Sequence, residues 1–505
     1  MVFTAVKAAP PPTTVEFAAP CSMVQGGGRN LVVVKNTLLE LYQLRVQSEN
    51  TEENAIFHAR LELRHSAALF GKVAQMAVVR PTGAATDRLL LAFDTGNLAI
   101  VAWDPVKFDF STVAIQSFAN AELIVGRGEP AMCPPLLRAD PQNRCAAMLV
   151  HDLRLHIVPI GAQYQRTHMD DAALAEDGGG DDDGNFEIDL EAMGICNVKD
   201  FVFLDGGLEP TVCILYEEAR TWTGRIVAGR ATCSVRTLSL SLPNKEHTDI
   251  WSHTDLPYNA VSLSAVAPPY RGAMMIALNT IWYLNTSTRI AVAVNEFGLD
   301  DLQESKINGA LAGPHDLSDV AITMQACNVC FLDATHALLN LSRGQMFCIE
   351  LVTEVRNVVS FRINREAAGI LTSCTCKLSE QMLFLGSRLA DSQLVEFKRH
   401  EEKDEDESEK EAAQSAVTIL QSLDVTTSIK EALNMLLMEL RVALDRSSDK
   451  KSVSEALAQA GPKFDSFLAE HGAELPGLRQ VCKILLAGCG WDSEQGRWSA
   501  GDGSG

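Results

Sequence analysis

The stretch Met382–Phe397, MLFLGSRLADSQLVEF, has two short apolar runs on either side of a polar bend. The runs are Met382–Leu385 and Leu394–Phe397, and the residues between them include Gly, Asp and Ser, which favour tight turns. Short apolar runs bounded by turn residues indicate strands, so the stretch predicts an antiparallel hairpin with one buried side. The same unit recurs through the chain up to this point, and that repetition decides the fold.

Six further hairpins precede this one, at intervals of about 45 to 65 residues. Their paired runs are residues 31–34 and 38–44, 89–93 and 97–103, 145–150 and 153–158, 211–216 and 221–227, 273–278 and 281–284, and 337–341 and 345–351. Additional apolar segments lie between the hairpins: Val73–Val79, Thr112–Ile115, Val235–Leu242 and Val358–Ile363. Each period therefore holds about four strands, and this predicts an all-β, seven-bladed propeller. A pair of β-sandwiches with long loops is the alternative.

The segments outside the hairpins divide the chain further. Residues 1–29 are rich in Pro, Ala and Gly and predict a flexible arm with one edge strand near Val15–Phe17. The propeller is expected over residues 30–399, with an acidic, Gly-rich, disordered insertion at 168–194. The charge run 400–411 predicts a linker. Beyond it, helical spacing and two capping boxes predict a small helical module over 412–492, followed by a disordered tail, 493–505.

Bulk properties restrict the class of protein. The chain has 505 residues, 47% of them apolar and 21% charged, which is typical of a soluble globular protein. Its net charge of −22 disfavours autonomous nucleic-acid binding, because phosphate contacts need a basic surface. The N-terminus has no secretory h-region, and no apolar run reaches the roughly 18 residues of a membrane span. We expect a cytosolic or nuclear protein with no membrane and no small-molecule substrate.

Motifs for catalysis and phosphate binding are missing from the sequence. The run Gly26–Arg29 precedes a strand pattern, whereas a phosphate site needs the N-terminus of a helix. Histidines are dispersed: His151 and His156 flank one predicted strand, and His247 and His253 flank Trp251. We interpret them as exposed turn residues. An enzyme would need a convergent charged cluster in the channel, and none can be assembled, so we predict no catalytic site.

The thirteen cysteines and one acidic run are the candidate metal ligands. Cys327 and Cys330 have CxxC spacing, and Cys374 and Cys376 follow downstream. The context of the first pair reads as a strand, whose residues i and i+3 point to opposite faces, so buried thiols in a reducing compartment are favoured over zinc. The run Asp181–Gly184 lacks the spacing and flanking helices of a calcium loop. We therefore predict no metal and no cofactor.

Several stretches resemble a known family of large triple-propeller scaffolds. Leu383–Phe397 is similar to a motif shared by the DNA-damage-binding adaptor of cullin ubiquitin ligases, a U2 splicing-factor subunit and the largest subunit of the cleavage and polyadenylation specificity factor. The segments that resemble the polyadenylation factor, collinearly, are Leu137–Ile160, Leu208–Ile226, Ala231–Leu242, Asp249–Asn259 and Tyr283–Asn285. The resemblance covers about residues 25–398, the N-terminal propeller of such proteins.

The resemblance implies a non-enzymatic scaffold of pre-mRNA 3′-end processing in the nucleus. Its implied partners are a WD-repeat subunit and a zinc-finger subunit, which read the polyadenylation signal, and an endonuclease subunit; pre-mRNA contact would be indirect. The second and third propellers of the family are not present in this sequence, and no partner-binding residue transfers. Two alternatives remain open: an adaptor of the ubiquitin-ligase branch, and a propeller that binds RNA directly through a basic, aromatic face.

Overall fold

A computed structural model of the chain describes residues 14–24, 29–51, 54–118, 134–160, 184–307, 322–398, 416–423, 491–492 and 497–498. Contacts divide the chain into two compact units, Met1–Arg388 with Gln393–Gln421, and Leu389–Ser392 with Ser422–Gly505. The first unit holds seven four-stranded antiparallel sheets, each built from four consecutive strands. In the second unit the structure describes one short pair, Trp491–Asp492 against Arg497–Trp498.

The first three blades lie within residues 17–189. Blade 1 consists of β1 (Phe17–Cys21), β2 (Asn30–Lys35), β3 (Leu38–Thr51) and β4 (Asn54–Ala68). Blade 2 consists of β5 (Val73–Val79), β6 (Arg88–Phe93), β7 (Asn97–Asp104) and β8 (Asp109–Ser117). Blade 3 consists of β9 (Leu136–Ala139), β10 (Cys145–Val150), β11 (Arg154–Pro159) and β12 (Phe186–Asp189).

The remaining four blades complete the ring. Blade 4 consists of β13 (Val198–Leu204), β14 (Thr211–Glu217), β15 (Cys233–Ser241) and β16 (Glu246–Leu256). Blade 5 consists of β17 (Ala260–Ala265), β18 (Ala273–Ala277), β19 (Thr280–Leu284) and β20 (Arg289–Ala293). Blade 6 consists of β21 (Asn328–Phe331), β22 (His336–Asn340), β23 (Gln345–Glu354) and β24 (Asn357–Ala368). Blade 7 consists of β25 (Thr372–Lys377), β26 (Met382–Ser387), β27 (Ser392–Lys398) and β28 (Ala416–Leu423).

The seven-bladed propeller predicted from the hairpin repeat is therefore confirmed. The second strand of each blade is buried along all or nearly all of its length, and the third strand β19 is completely buried as well. The hydrophobic clusters combine residues of adjacent blades: Leu215 of blade 4 with Trp282 of blade 5, and Tyr283 of blade 5 with Phe347 of blade 6. Burial against both neighbours is what a blade needs, since one sheet leaves two apolar faces uncovered.

Four local predictions differ from the structure. The return strand predicted at residues 221–227 is a short helix, α1 (Thr223–Ala228), and the chain returns as β15. No residue of α1 is buried, so this run has no sheet face to occupy. The two ends of the loop between β14 and β15 are instead held together by Glu217, because its carboxylate accepts hydrogen bonds from the hydroxyls of Thr221 and Thr232.

The predicted boundaries also shift. The propeller begins inside the predicted arm, because Phe17–Cys21 is the innermost strand of blade 1. It ends inside the predicted helical module, because Ala416–Leu423 is the outermost strand of blade 7. The charge run 400–411 therefore lies, in the sequence, between the last two strands of that blade. Phe186–Asp189, within the predicted disordered insertion, is a strand. Residues 168–183 and 424–490 lie outside the described residues, so those parts of both predictions remain predictions.

Polar side chains on the inner strands join neighbouring blades. Asp200 on β13 accepts a hydrogen bond from Arg138 on β9 at 2.7 Å and another from the backbone N–H of Leu263 on β17 at 2.9 Å. Arg138 also donates to Gln75 on β5 at 2.6 Å. One buried carboxylate and its arginine therefore connect blades 2, 3, 4 and 5.

Removing the carboxylate of Asp200 tests whether these hydrogen bonds between inner strands stabilise the propeller. We expect Asp200→Ala to lower the free energy of unfolding by about 3 kcal/mol, because Arg138 and the Leu263 N–H lose a partner that is itself buried. Urea denaturation of the purified chain measures the change. The matched control is Asp109→Ala, which removes an exposed ion pair to His65 and is expected to cost at most about 1 kcal/mol. Equal losses of unfolding free energy in the two variants would contradict a stabilising role for the hydrogen bonds of Asp200.

Candidate interaction surface

The walls of the channel offer little chemistry. The seven inner strands, β1, β5, β9, β13, β17, β21 and β25, contain one carboxylate, Asp200, and no histidine. That carboxylate is occupied by Arg138 and Leu263. The basic residues Lys199 and Lys377 donate to the backbone carbonyls of Tyr258 and Leu332, which again connects neighbouring blades. The polar groups of the described channel wall therefore serve to join blades.

The candidate cysteines lie on two inner strands, β21 and β25, or next to them. Cys330 lies on β21, as the strand prediction required, and Cys327 immediately precedes that strand. Cys374 and Cys376 lie on β25. Burial raises the pKa of Cys327 and Cys330 to about 11 and that of Cys374 to about 12. Within the described part of the chain, no three His, Cys, Asp or Glu side chains form a group suited to a metal ion.

The histidines do not match the exposed-turn interpretation uniformly. His151 does lie in the β10–β11 turn, with a φ of 54°. His156 lies on β11, where its ring stacks on Phe118 with centroids 4.4 Å apart, and burial lowers its pKa. His253 lies on β16 and its Nε2 is 2.8 Å from the carbonyl oxygen of Asn285 in blade 5. These strand histidines pack between elements, and the sequence alone did not show this.

The glycine and aspartate candidates fall largely outside the described residues. Gly26–Gly28 and Asp181–Asp183 are not among them. Arg29 is described, and its guanidinium donates to the carbonyl of Leu378 in blade 7. As predicted, a strand, β2, follows Arg29 directly. Arg29 therefore connects the first blade to the last blade, and it does not contribute to a phosphate site.

Two short helices lie at one end of the propeller. Consecutive strands of a blade are antiparallel, so connections after the second and fourth strands lie at the same end. Helix α1 follows β14, the second strand of blade 4, and a second helix, α2 (Glu296–Glu304), follows β20, the fourth strand of blade 5. Both helices therefore decorate the same end, on adjacent blades.

Arg230 links the two helical connections. Its backbone N–H donates to a carboxylate oxygen of Glu304 at 2.6 Å. Its guanidinium lies 3.7 Å from the carboxylate of Asp300 and 3.9 Å from that of Glu304. The connection that carries α1 is thus tied to the C-terminal half of α2.

Helix α2 is held in place by a cap at its N-terminus and by the buried side chain of Asp301. The side chain of Asn295 caps its N-terminus by accepting from the N–H of Gly298 at 3.0 Å. Asp301 is buried on the opposite side and accepts from Asn259 at 2.8 Å and from Asn279 at 3.4 Å. Burial raises the pKa of Asp301 above its ordinary value. A cap of this type followed by acidic residues is a sequence signal for a helix, and the sequence carries this signal at residues 295–304.

Large apolar side chains are exposed on both connections. Phe297 is 69% exposed and Leu299 39% exposed on α2, while Trp222, at the start of α1, is 67% exposed and Val227 84%. The indole of Trp222 lies over Gly224, where even a single added carbon would collide with the ring. Exposed Trp and Phe on anchored connections are typical of protein-binding hot spots. We name Trp222, Val227, Phe297 and Leu299 the two-helix surface.

The net charge of the chain is concentrated in two stretches. Residues 168–194 contain ten acidic and no basic residues, and residues 400–411 contain eight acidic residues and two lysines. Most of the charge of −22 therefore belongs to these two stretches, and the rest of the chain is much closer to neutral. No helix among the described residues is long and apolar enough to cross a membrane.

Comparison with known proteins places this architecture in a family. Residues 14–424 match the family model described as the RSE1/DDB1/CPSF1 first beta-propeller, and the chain belongs to that family. Among its relatives is cleavage and polyadenylation specificity factor subunit 1 of Drosophila melanogaster, 30% identical over 404 residues, which covers 76% of this chain and 27% of that protein. The protein of the same name in Arabidopsis thaliana is 29% identical and covers 73% of this chain and 26% of its own length.

A fungal relative agrees with these two. Protein cft1 of Aspergillus clavatus is 26% identical over 433 residues, covering 76% of this chain and 30% of its own length. The chain thus spans less than a third of the curated relatives it matches. The match from residue 14 to 424 agrees with the observed propeller, which begins before residue 30 and includes β28.

The cysteine geometry gives a test for metal. Cys327 and Cys330 are half-buried free thiols, and among the described residues no three His, Cys, Asp or Glu side chains form a group that could hold a metal ion. We expect neither EDTA nor added Zn²⁺ to change the melting temperature measured by differential scanning fluorimetry. Cys327→Ser with Cys330→Ser serves as the control. A zinc-dependent rise in the wild-type chain that this double variant abolishes would contradict the interpretation.

The raised pKa of Asp301 predicts a pH dependence. A carboxyl group whose pKa is raised by folding favours the folded state below its unfolded pKa, and this contribution disappears as the pH rises through the folded value. We expect Asp301→Asn to gain stability relative to the wild type between about pH 4 and pH 8, since it stays neutral. Melting temperatures of both proteins across that range measure the effect. A constant difference, or one of opposite sign, would contradict it.

Proposed function

We propose that this protein is a scaffold subunit of the pre-mRNA 3′-end cleavage and polyadenylation machinery in the nucleus. The observation that carries the proposal is the collinear match of residues 14–424 to one propeller family, together with relatives named cleavage and polyadenylation specificity factor subunit 1 and cft1. We propose that it supports recognition of the polyadenylation signal through protein partners, with no catalysis of its own. Those partners are the WD-repeat, zinc-finger and endonuclease subunits that the sequence resemblance implies.

The two-helix surface is our candidate for partner docking. Phe297 and Trp222 project from connections that Arg230 holds to one another, so the surface needs little rearrangement before binding. Asp301 and the Asn295 cap keep α2 in place from the side facing the propeller. A pre-organised aromatic surface of this kind suits a structural subunit that binds other folded proteins.

Direct RNA binding is a second candidate function, favoured by one specific observation. Arg45, Arg60 and Arg64 surround the single carboxylate of Glu62 on the β3–β4 ribbon, at 3.3, 2.6 and 3.8 Å. This leaves a local excess of positive charge on an exposed ribbon. Because the acidic stretches lie elsewhere in the sequence, the net charge of the chain argues less strongly against RNA than it first suggests. The family description also includes DDB1, which keeps the ubiquitin-ligase branch as an outcome to test.

Affinity purification of the tagged chain from nuclear extract, with quantitative mass spectrometry, tests the proposal. We expect the three polyadenylation subunits to be recovered equally with and without nuclease. Trp222→Ala combined with Phe297→Ala should reduce their recovery about tenfold or more, because aromatic hot spots are each worth about 2 kcal/mol. Failure of the wild-type chain to recover any of these subunits would contradict the proposed function.

The control and the alternative outcomes use the same measurement. Leu208→Ala with Val355→Ala removes two side chains that are 103% and 98% exposed on connections at the opposite end, and should leave recovery unchanged. Loss of recovery on nuclease treatment would favour direct RNA binding, and recovery of a cullin would favour the ubiquitin-ligase branch. Unchanged recovery by the Trp222/Phe297 variant would rule out the two-helix surface.

A further inference from the structure

The outermost strand of a propeller blade has one edge without a partner strand inside its own sheet. Such edges are protected in most proteins by charged side chains, since an uncharged edge invites pairing with another chain. Six outer strands have side chains that the structure describes, and four of them carry charged residues beyond their first position. The charged residues with described side chains on these four strands are Arg60, Glu62 and Arg64 of β4, Glu187 and Asp189 of β12, Glu246, Asp249 and Asp255 of β16, and Arg362 and Arg365 of β24.

β8 and β20 each carry a single charged residue, Asp109 and Arg289, at the first position of the strand. β20 is buried from Ala291 to Ala293, whereas five of the nine residues of β8 are exposed. After Asp109, β8 continues with residues 110–117, FSTVAIQS, none of which is charged. The next residue, Phe118, is uncharged as well. Ile115 is 70% exposed and Val113 41% exposed, and Thr112 and Ser117 are exposed as well. Uncharged, β-branched residues at exposed positions combine high strand propensity with an unprotected edge.

The neighbouring strand β4 adds apolar surface beside the edge of β8. The imidazole of His65 on β4 lies 2.8 Å from the carboxylate of Asp109, and its ring packs against Trp103 and Phe110 with centroids 5.6 and 5.7 Å away. These contacts hold β4 beside the start of β8. On β4, two residues from His65, Leu63 is 54% exposed. The edge and its neighbour therefore offer both unpaired backbone groups and apolar side chains.

We propose that the edge of β8 binds an extended segment of another polypeptide, which adds to blade 2 as a fifth strand. Backbone hydrogen bonds along Ala114–Ser117 would supply affinity, and contact with Ile115 and Leu63 would select β-branched or aromatic side chains at alternating positions of the segment. The segment is expected to be uncharged where it faces Phe110–Ser117, because a charge there would lose water without gaining a partner.

A second copy of this chain is a poorer occupant of the same edge. The register between β7 and β8 pairs Ile100 with Ala114 and Val101 with Thr112, so Val113 is an extra residue that bulges from the ladder. A symmetric β8–β8 pair would place two such bulges close to its twofold axis and interrupt the ladder at its centre. Two chains of net charge −22 would also repel each other. A single foreign strand meets only one bulge and no such repulsion.

Photo-crosslinking in the full chain, produced in cells of its own source, tests the proposal by geometry. A photoreactive amino acid is placed singly at Ile115 or at Ser117, which lie on one face of β8 two residues apart. We expect both positions to crosslink to one segment of one polypeptide, at residues two apart. Attachment sites three or four residues apart, sites scattered over several proteins, or sites within this chain's own sequence would each overturn it.

A charge on the edge provides the second measurement. With the photoreactive group at Ser117, Ile115→Lys should lower the crosslink yield about tenfold, corresponding to about 1.4 kcal/mol of binding free energy. The matched control is Ile250→Lys, which charges a β-branched residue that is 47% exposed on β16 and should leave the yield unchanged. Equal yields from the two lysine variants would contradict strand addition. Neither readout depends on which protein is crosslinked, so it succeeds or fails separately from the proposed function.

Discussion

Closure of the ring between the last blade and the first is the contact on which the remaining structure depends. The N–H of Val15 donates to the carbonyl of Ser387 at 3.0 Å, and the hydroxyl of Ser373 donates to the carbonyl of Val15 at 2.6 Å. Glu16 and Arg388 form an ion pair at 2.5 Å across the same junction. Every blade is built from consecutive strands, so no strand exchange fastens the ring, and these side-by-side contacts replace it. They join residues some 360 positions apart, and the entropy of that loop must be offset by burial in all seven interfaces.

The same requirement explains where function can reside. Inner strands use their polar side chains to connect blades, as Arg138 and Asp200 do, and a group held in this way is not available for substrates. The second strands are buried on both faces. What remains for recognition is the set of connections at each end and the outer edges, where α1, α2 and β8 lie. Exposed Trp222 and Phe297 on anchored connections, and the edge of β8, which is uncharged after Asp109, are among the features of the described surface that packing alone does not require.

Three segments show which elements a local sequence pattern predicts correctly and which it does not. The turn at Asp94–Gly96 between two apolar runs predicted β6 and β7 correctly, because local turn chemistry and alternation set a hairpin without help from the rest of the chain. The run at residues 221–227 was predicted wrongly as a strand, because its apolar residues match a strand in propensity while Glu217, Thr221 and Thr232 close the loop before a strand can pair. The run at Ala416–Leu423 was assigned to a helical module, because the charged residues before it hid the fact that blade 7 still lacked a strand.

The sequence by itself determined the repeat, the number of blades and the family, since hairpin periodicity and collinear motifs are local properties of the chain. Only the tertiary structure decided which residues could serve as a site. It placed α1 and α2 on one end through Arg230, buried the candidate cysteines, and left β8 exposed with no charged residue after Asp109. Exposure and proximity between residues on different blades depend on how seven sheets close into a ring, and a linear pattern does not contain that information.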